Sequence, residues 1–234
     1  MIKTLIEILL AFAILLASNM EPLVQYSPFP LLIGMLLVIT LGIFLRKRDL
    51  KFYGFAKPRK GDFGQAFLCF LLLFPIAFAG RLIAPGFDSW FVGVFGLLEG
   101  NLGYFLLTIP IFAIAEELYS RSVLQSNLRG FGIIGMIVIS AHFALLHTGG
   151  VFTYVVLPSV FLGSLVVCFL YSRTGNIFMP IIVHGAFNSL IIMQTVWHLA
   201  DPSMEFVFWG AYGLLFLAFL PKMWRLWKIK PNPS

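Results

Sequence analysis

Apolar residues fall along this chain in blocks, not in alternation. The stretches 31–45 and 106–115 run almost unbroken, with no polar residue at every second place. A strand crossing a bilayer would alternate with period two. A helix crossing one needs about 20 predominantly apolar residues and satisfies its own backbone hydrogen bonds. The pattern therefore predicts an all-α, polytopic transmembrane helical bundle of about eight spans. They run approximately over 4–20, 29–45, 64–83, 103–127, 132–148, 152–171, 176–198 and 205–221.

Glycine, proline and charge separate the blocks: Pro28 and Pro30, Arg46-Lys47-Arg48, Pro85-Gly86, Arg129-Gly130, Gly149-Gly150 and Pro202. Segment 86–100 is apolar but short and carries Asp88 and Glu99. It reads as an interfacial helix or re-entrant loop, with Trp90 at the headgroup level. Lys3 followed by the apolar run 8–16 resembles a secretory signal peptide. Glu7 interrupts that run and Ala17-Ser18-Asn19 is a poor cleavage site, so an uncleaved first span is expected. No internal repeat is visible, which argues against the inverted-repeat transporters. Residues 1–234 are expected to form a single integral membrane domain.

Composition agrees with the blocks. Hydrophobic residues make up 60% and charged residues 11%, against about 45–50% and 25% in an ordinary soluble domain. The net charge of +6 finds its explanation in position. With an even number of spans and a cytoplasmic N-terminus, every Lys and Arg except Arg81 falls on the cytoplasmic side, and Glu21, Asp88, Glu99, Asp201 and Glu205 fall on the other. This is the positive-inside distribution. It predicts a multi-pass protein of a plasma or ER-type membrane with both termini cytoplasmic, and it needs no nucleic acid partner. The basic loop 46–63 reads as a topology determinant in contact with anionic lipid. Cys69 and Cys168 each sit within an apolar block and read as small buried packers.

Ionisable residues inside the spans carry the chemistry. Each costs about 2.5–3.5 kcal/mol near a helix centre on insertion scales, so each asks for a function or a partner. Glu116-Glu117-Leu118-Tyr119-Ser120-Arg121 lies in the fourth expected span. Glu117 and Arg121 are four residues apart and can pair on one helical face. Glu116 points about 100° away (from the helical repeat) and has no such local cation, an arrangement suited to general-base work. Alternatively, the three charges form an ion-pair network that only locks helices together. Phe143 and His147 follow on the fifth span, His184 and Asn188 on the seventh, the latter two on one face. A lone membrane His or Asn is commonly helix–helix glue. His142 would point away from His147, and His198 falls at the outer boundary, so both read as packing residues. Together, however, the set supplies a base, imidazoles and an oxyanion donor from three spans.

These residues carry a resemblance. Glu116-Glu117-x-x-x-Arg121, Phe143-x-x-x-His147 and His184-x-x-x-Asn188 resemble the three motifs of the CAAX protease and bacteriocin-processing family of intramembrane proteases. The run from Arg173 to His184 resembles the stretch leading into the third motif. The motif core covers 116–188. The resemblance implies that Glu116 and His147 activate the attacking water and that His184 and Asn188 stabilise the oxyanion. It also implies that Glu117 and Arg121 hold the helix in place. The substrate would be a membrane-associated peptide or protein, and the other partners membrane lipids.

A metal reading competes, because two histidines and a carboxylate form a known catalytic zinc set. The candidates would be Glu116, His147 and His184. Asn188 is a poor zinc ligand and a good oxyanion donor, which favours a metal-free glutamate mechanism; the sequence leaves both open. Alternatives to proteolysis are a non-proteolytic bacteriocin-immunity or membrane scaffold protein, and a small-solute transporter. One point fits badly. His147 lies about 22 Å from the cytoplasmic start of its expected span and His184 about 12 Å from its own, at 1.5 Å per residue. The two meet only if the spans are tilted or staggered.

Overall fold

The structure, a computed structural model, describes residues 2–20, 28–47, 49–83, 102–147, 153–201 and 203–227. The segment 86–100 and the side chains of Arg81 and His198 lie outside the described residues. The described residues are about 90% helix, with no strand among them. The long helices are α1 (Ile2–Ser18), α2 (Phe29–Arg46), α3 (Lys60–Ile83), α4 (Leu102–Glu117), α5 (Gly132–Leu146), α6 (Thr153–Thr174), α7 (Phe178–Ala200) and α8 (Ser203–Trp227). Among the described residues, three helical stretches are long and apolar enough to cross a membrane: Lys60–Gly80, Ile109–Leu146 and Leu157–Thr174. Shorter apolar stretches lie at Phe29–Phe44, Phe178–Gln194 and Phe206–Pro221.

The second of these long stretches is not one straight rod. α4 passes at Glu117 into a π-helix, Leu118–Gln125, then a turn of α-helix, Ser126–Leu128. A 3-10 turn, Arg129–Phe131, reverses the chain into α5 at Gly132, whose φ is 54°. A π-helix is rare and commonly marks a functional site. This one is buried along its whole length, and its polar side chains face neighbours instead of lipid. Arg121 bonds to Ser164 of α6, and Gln125 donates to the Cys168 carbonyl and to Ser172.

Val38, Met35, Ala115, Tyr119, Val123, Ile139 and Cys168 pack together where α1, α2, the π-helix, α5 and α6 meet. Phe74 gathers α3, α7 and α8, stacking on Tyr212 at 4.1 Å between centroids. Cys69 and Cys168 are buried and free, as expected of packers.

The 49–59 loop also packs into the helices, a contact the sequence reading did not anticipate. A 3-10 turn, Leu50–Tyr53, buries the Tyr53 side chain completely. Its hydroxyl lies 2.7 Å from Oε1 of Glu7 in α1, which is itself buried. A phenol and a carboxylate so deep are tolerated because each gives the other a partner.

Candidate active site

Each of the three expected motifs contributes to one cluster. Glu117 is fully buried at the end of α4. Its Oε2 lies 3.2 Å from Nε of Arg121. Nη2 of Arg121 donates to the backbone carbonyl and hydroxyl of Ser164 at 3.2 and 3.1 Å. Its guanidinium also lies 5.2 Å from the centre of the Phe143 ring, within cation–π range. The second oxygen of Glu117 lies 2.8 Å from Nδ1 of His184. A carboxylate facing an arginine accepts, so His184 donates through Nδ1 and its Nε2 faces away. That atom lies 3.6 Å from Oε2 of Glu116.

His147 approaches Glu116 from the other side, its Nε2 4.0 Å from Oε1. The end of α5 fixes its tautomer. His147 is the C-cap, with its own N–H turned to the Ala144 carbonyl at 3.0 Å. The Phe143 carbonyl thereby lacks its intrahelical partner, as carbonyls at a helix end do. Nδ1 of His147 fills the gap at 2.8 Å. A carbonyl only accepts, so Nδ1 carries a proton and donates it, and Nε2 is the ring nitrogen turned to Glu116. The Phe143 ring packs on both imidazoles, 4.6 Å from His147 and 6.1 Å from His184 between centroids.

Asn188 follows His184 by one turn of α7 and is half-buried; its side chain makes no hydrogen bond to another described residue. Glu116 and His147 each keep about a quarter of their side-chain surface exposed, whereas Glu117 and Arg121 keep almost none. The cluster is therefore an open carboxylate–imidazole pair resting on a closed ion pair.

The staggering that the sequence left unresolved has a structural cause. α5 takes 15 residues to reach His147 from Gly132, about 22 Å, and α7 takes six to reach His184 from Phe178, about 9 Å. α7 starts deeper because its first turn is seated on the 49–59 loop. Ile177 N–H donates to the Gly54 carbonyl at 2.8 Å, and Asn176, which caps α7 through Phe178 N–H, donates to the Ala56 carbonyl.

Residues 98–190 match the family model for the type II CAAX prenyl endopeptidase, Rce1-like. Over these residues the chain is similar to that CAAX endopeptidase family. Curated proteins and solved structures gave no match to the chain. The matched region takes in all three motifs, so the CAAX protease resemblance read from them and the family match rest on the same residues.

The metal reading meets a geometric difficulty. Among the described residues, no group of three His, Cys, Asp or Glu side chains stands close enough to hold a metal ion. Zinc bonds of about 2.0–2.1 Å to Glu116 and His147, 4.0 Å apart, would open an angle of about 145–180°, far from tetrahedral. As placed, these side chains do not fit zinc.

Sequence reasoning missed several residues that pack around this cluster. Ser164 lies in an apolar span with no motif around it. The π-helix has no sequence signature. His142, read as a packing residue, faces Tyr119 (Nε2 to Oη 2.7 Å) and the Phe12 ring.

Proposed function

We propose that the chain is an intramembrane endopeptidase that hydrolyses a membrane-associated peptide or protein with water activated between Glu116 and His147. The observation that carries this is the convergence of two imidazole Nε2 atoms on the Glu116 carboxylate, at 3.6 and 4.0 Å. Water between Glu116 and His147 meets two acceptors and turns its oxygen lone pair outward. It passes a proton to Glu116 as its oxygen bonds to the scissile carbonyl carbon, and the carbonyl pair becomes an oxyanion. Asn188 supplies an N–H donor to it. Glu117 and Glu116 flank the His184 ring, so Nε2 can carry a second proton and serve as the other donor. Collapse breaks the C–N bond, and the proton on Glu116 goes to the leaving amine. Glu117 and Arg121 hold His184 and the helix in register. No step requires a metal.

In this reading the eight long helices are eight spans of one membrane domain, 1–234, built around 116–188, with both termini on the basic, cytoplasmic side. The description of the matched family makes a prenylated CAAX peptide the first substrate to try. The test is Glu116→Gln, assayed on quenched membrane-tethered peptides in proteoliposomes. Cleavage by wild type and none by the variant supports the reading. Undiminished cleavage by the variant removes Glu116 from the mechanism.

A further inference from the structure

Two consecutive carbonyls in the 49–59 loop hold the two halves of the site. The Tyr53 carbonyl accepts from Ser122 Oγ at 2.7 Å, one residue past Arg121 in the π-helix. The Gly54 carbonyl accepts from Ile177 N–H at 2.8 Å, at the start of the helix that carries His184. Adjacent peptide groups point to different elements because the backbone turns sharply between them. Gly54 has φ 84°, and its own N–H closes the 3-10 turn on Leu50 and Lys51. A side chain there would be strained by the left-handed backbone. It would also meet solid structure: a Cβ would stand 2.6 Å from Cε2 of Tyr171, 2.7 Å from its hydroxyl oxygen and 3.0 Å from the Ile177 nitrogen. Tyr171 cannot swing clear cheaply, since it is buried and its hydroxyl pairs with Ser126 at 2.7 Å.

The rest of the loop is anchored on the same neighbours. Arg59 pairs with the buried Asp62 and also donates to the carbonyls of Arg173 and Thr174 at the end of α6. Asn176 spans from the Ala56 carbonyl to the first N–H of α7. A shift of α7 by one ångström along its axis would therefore require breaking contacts to this loop. The same shift would change the 3.6 Å approach of His184 to Glu116, and misplacement on that scale costs about 100-fold in rate.

We infer that Gly54 is a positioning residue for catalysis: through the paired carbonyls of Tyr53 and Gly54, the 49–59 loop sets the height of His184 against Glu116. The inference rests on the endopeptidase reading for its kinetic arm and is independent of it for its structural arm. The variants are Gly54→Ala and, as a control, Gly175→Ala. Gly175 also has a left-handed φ, 61°, but open space where a Cβ would lie. Kinetics are read on a quenched prenylated CAAX peptide in proteoliposomes. Gly54→Ala should lower kcat at least tenfold with KM within about twofold. Gly175→Ala should leave kcat within about twofold, although both lower the unfolding midpoint. Equal kcat losses would overturn the inference, since strain alone would then explain them. The structural arm places spin labels at the exposed positions Gly130 and Ile182 of otherwise full-length protein, the buried native cysteines left in place. Gly54→Ala should shift the measured distance distribution and Gly175→Ala should not. An unchanged distribution in Gly54→Ala overturns the inference whatever the kinetics. Absence of cleavage by wild type alongside a shifted distribution counts against the endopeptidase reading and leaves the loop's structural role standing.

Discussion

Nδ1 of His184 donates to Oε1 of Glu117 across 2.8 Å, and the acid that receives it is fully buried. Glu117 thus serves two partners, the ring and the Arg121 guanidinium. Removing it strands a buried cation. Glu117→Ala should destabilise the fold by about 3–5 kcal/mol, the usual cost of breaking a buried pair from one side. Reversible unfolding in mixed micelles measures this. A loss under about 1 kcal/mol would mean that Arg121 finds another acceptor.

His147 stands differently. Its ring is a quarter exposed and hydrogen-bonds to the Phe143 carbonyl at its own helix end. His147→Ala should therefore change stability by no more than about 1 kcal/mol while lowering kcat by about 100-fold, the cost of misplacing the attacking water that it holds. Parallel unfolding and turnover measurements separate the two effects. A large loss of stability with proportionate loss of activity would make His147 a structural residue.

Asn188 is expected to act on the transition state. Asn188→Ala should cost about 10²–10³ in kcat with KM little changed, as loss of one oxyanion donor does. If KM rises instead and kcat holds, the side chain binds substrate uniformly and is no oxyanion donor.

Gly42 lies on α2 against the buried Tyr53 hydroxyl, and a Cβ there would overlap the phenol oxygen. Gly42→Ala should destabilise by about 1–3 kcal/mol through overpacking. Combining it with Tyr53→Phe, which removes the overlapping atom, should recover part of the loss. A double variant as unstable as the sum of the single changes would show that the clash is relieved elsewhere.

Much of this was legible in the chain because membrane burial makes polar residues conspicuous. The helices begin and end near the expected punctuation, and the break at Arg129-Gly130 is where the chain reverses. The Glu117–Arg121 pair follows from four-residue spacing, and the pair survives although the helix there is wound as π. What was not legible depends on contacts between distant segments. Tyr53 looked like part of a polar basic loop; its partner Glu7 lies 46 residues away. Ser164 is one hydroxyl in an apolar span, unremarkable until Arg121 reaches it. The depth of His184 could not be counted from its own helix, because the loop beneath α7 sets where that helix starts.

The most direct measurement is mass-spectrometric detection of cleavage of a prenylated CAAX peptide by purified protein in liposomes. Wild type and Glu116→Gln would each be assayed with and without a strong chelator. The account predicts a single cut by wild type, unaffected by the chelator, and none by Glu116→Gln at equal folded protein. Cleavage abolished by the chelator and restored by zinc would contradict the metal-free mechanism. Equal cleavage by the two proteins would contradict the role given to Glu116.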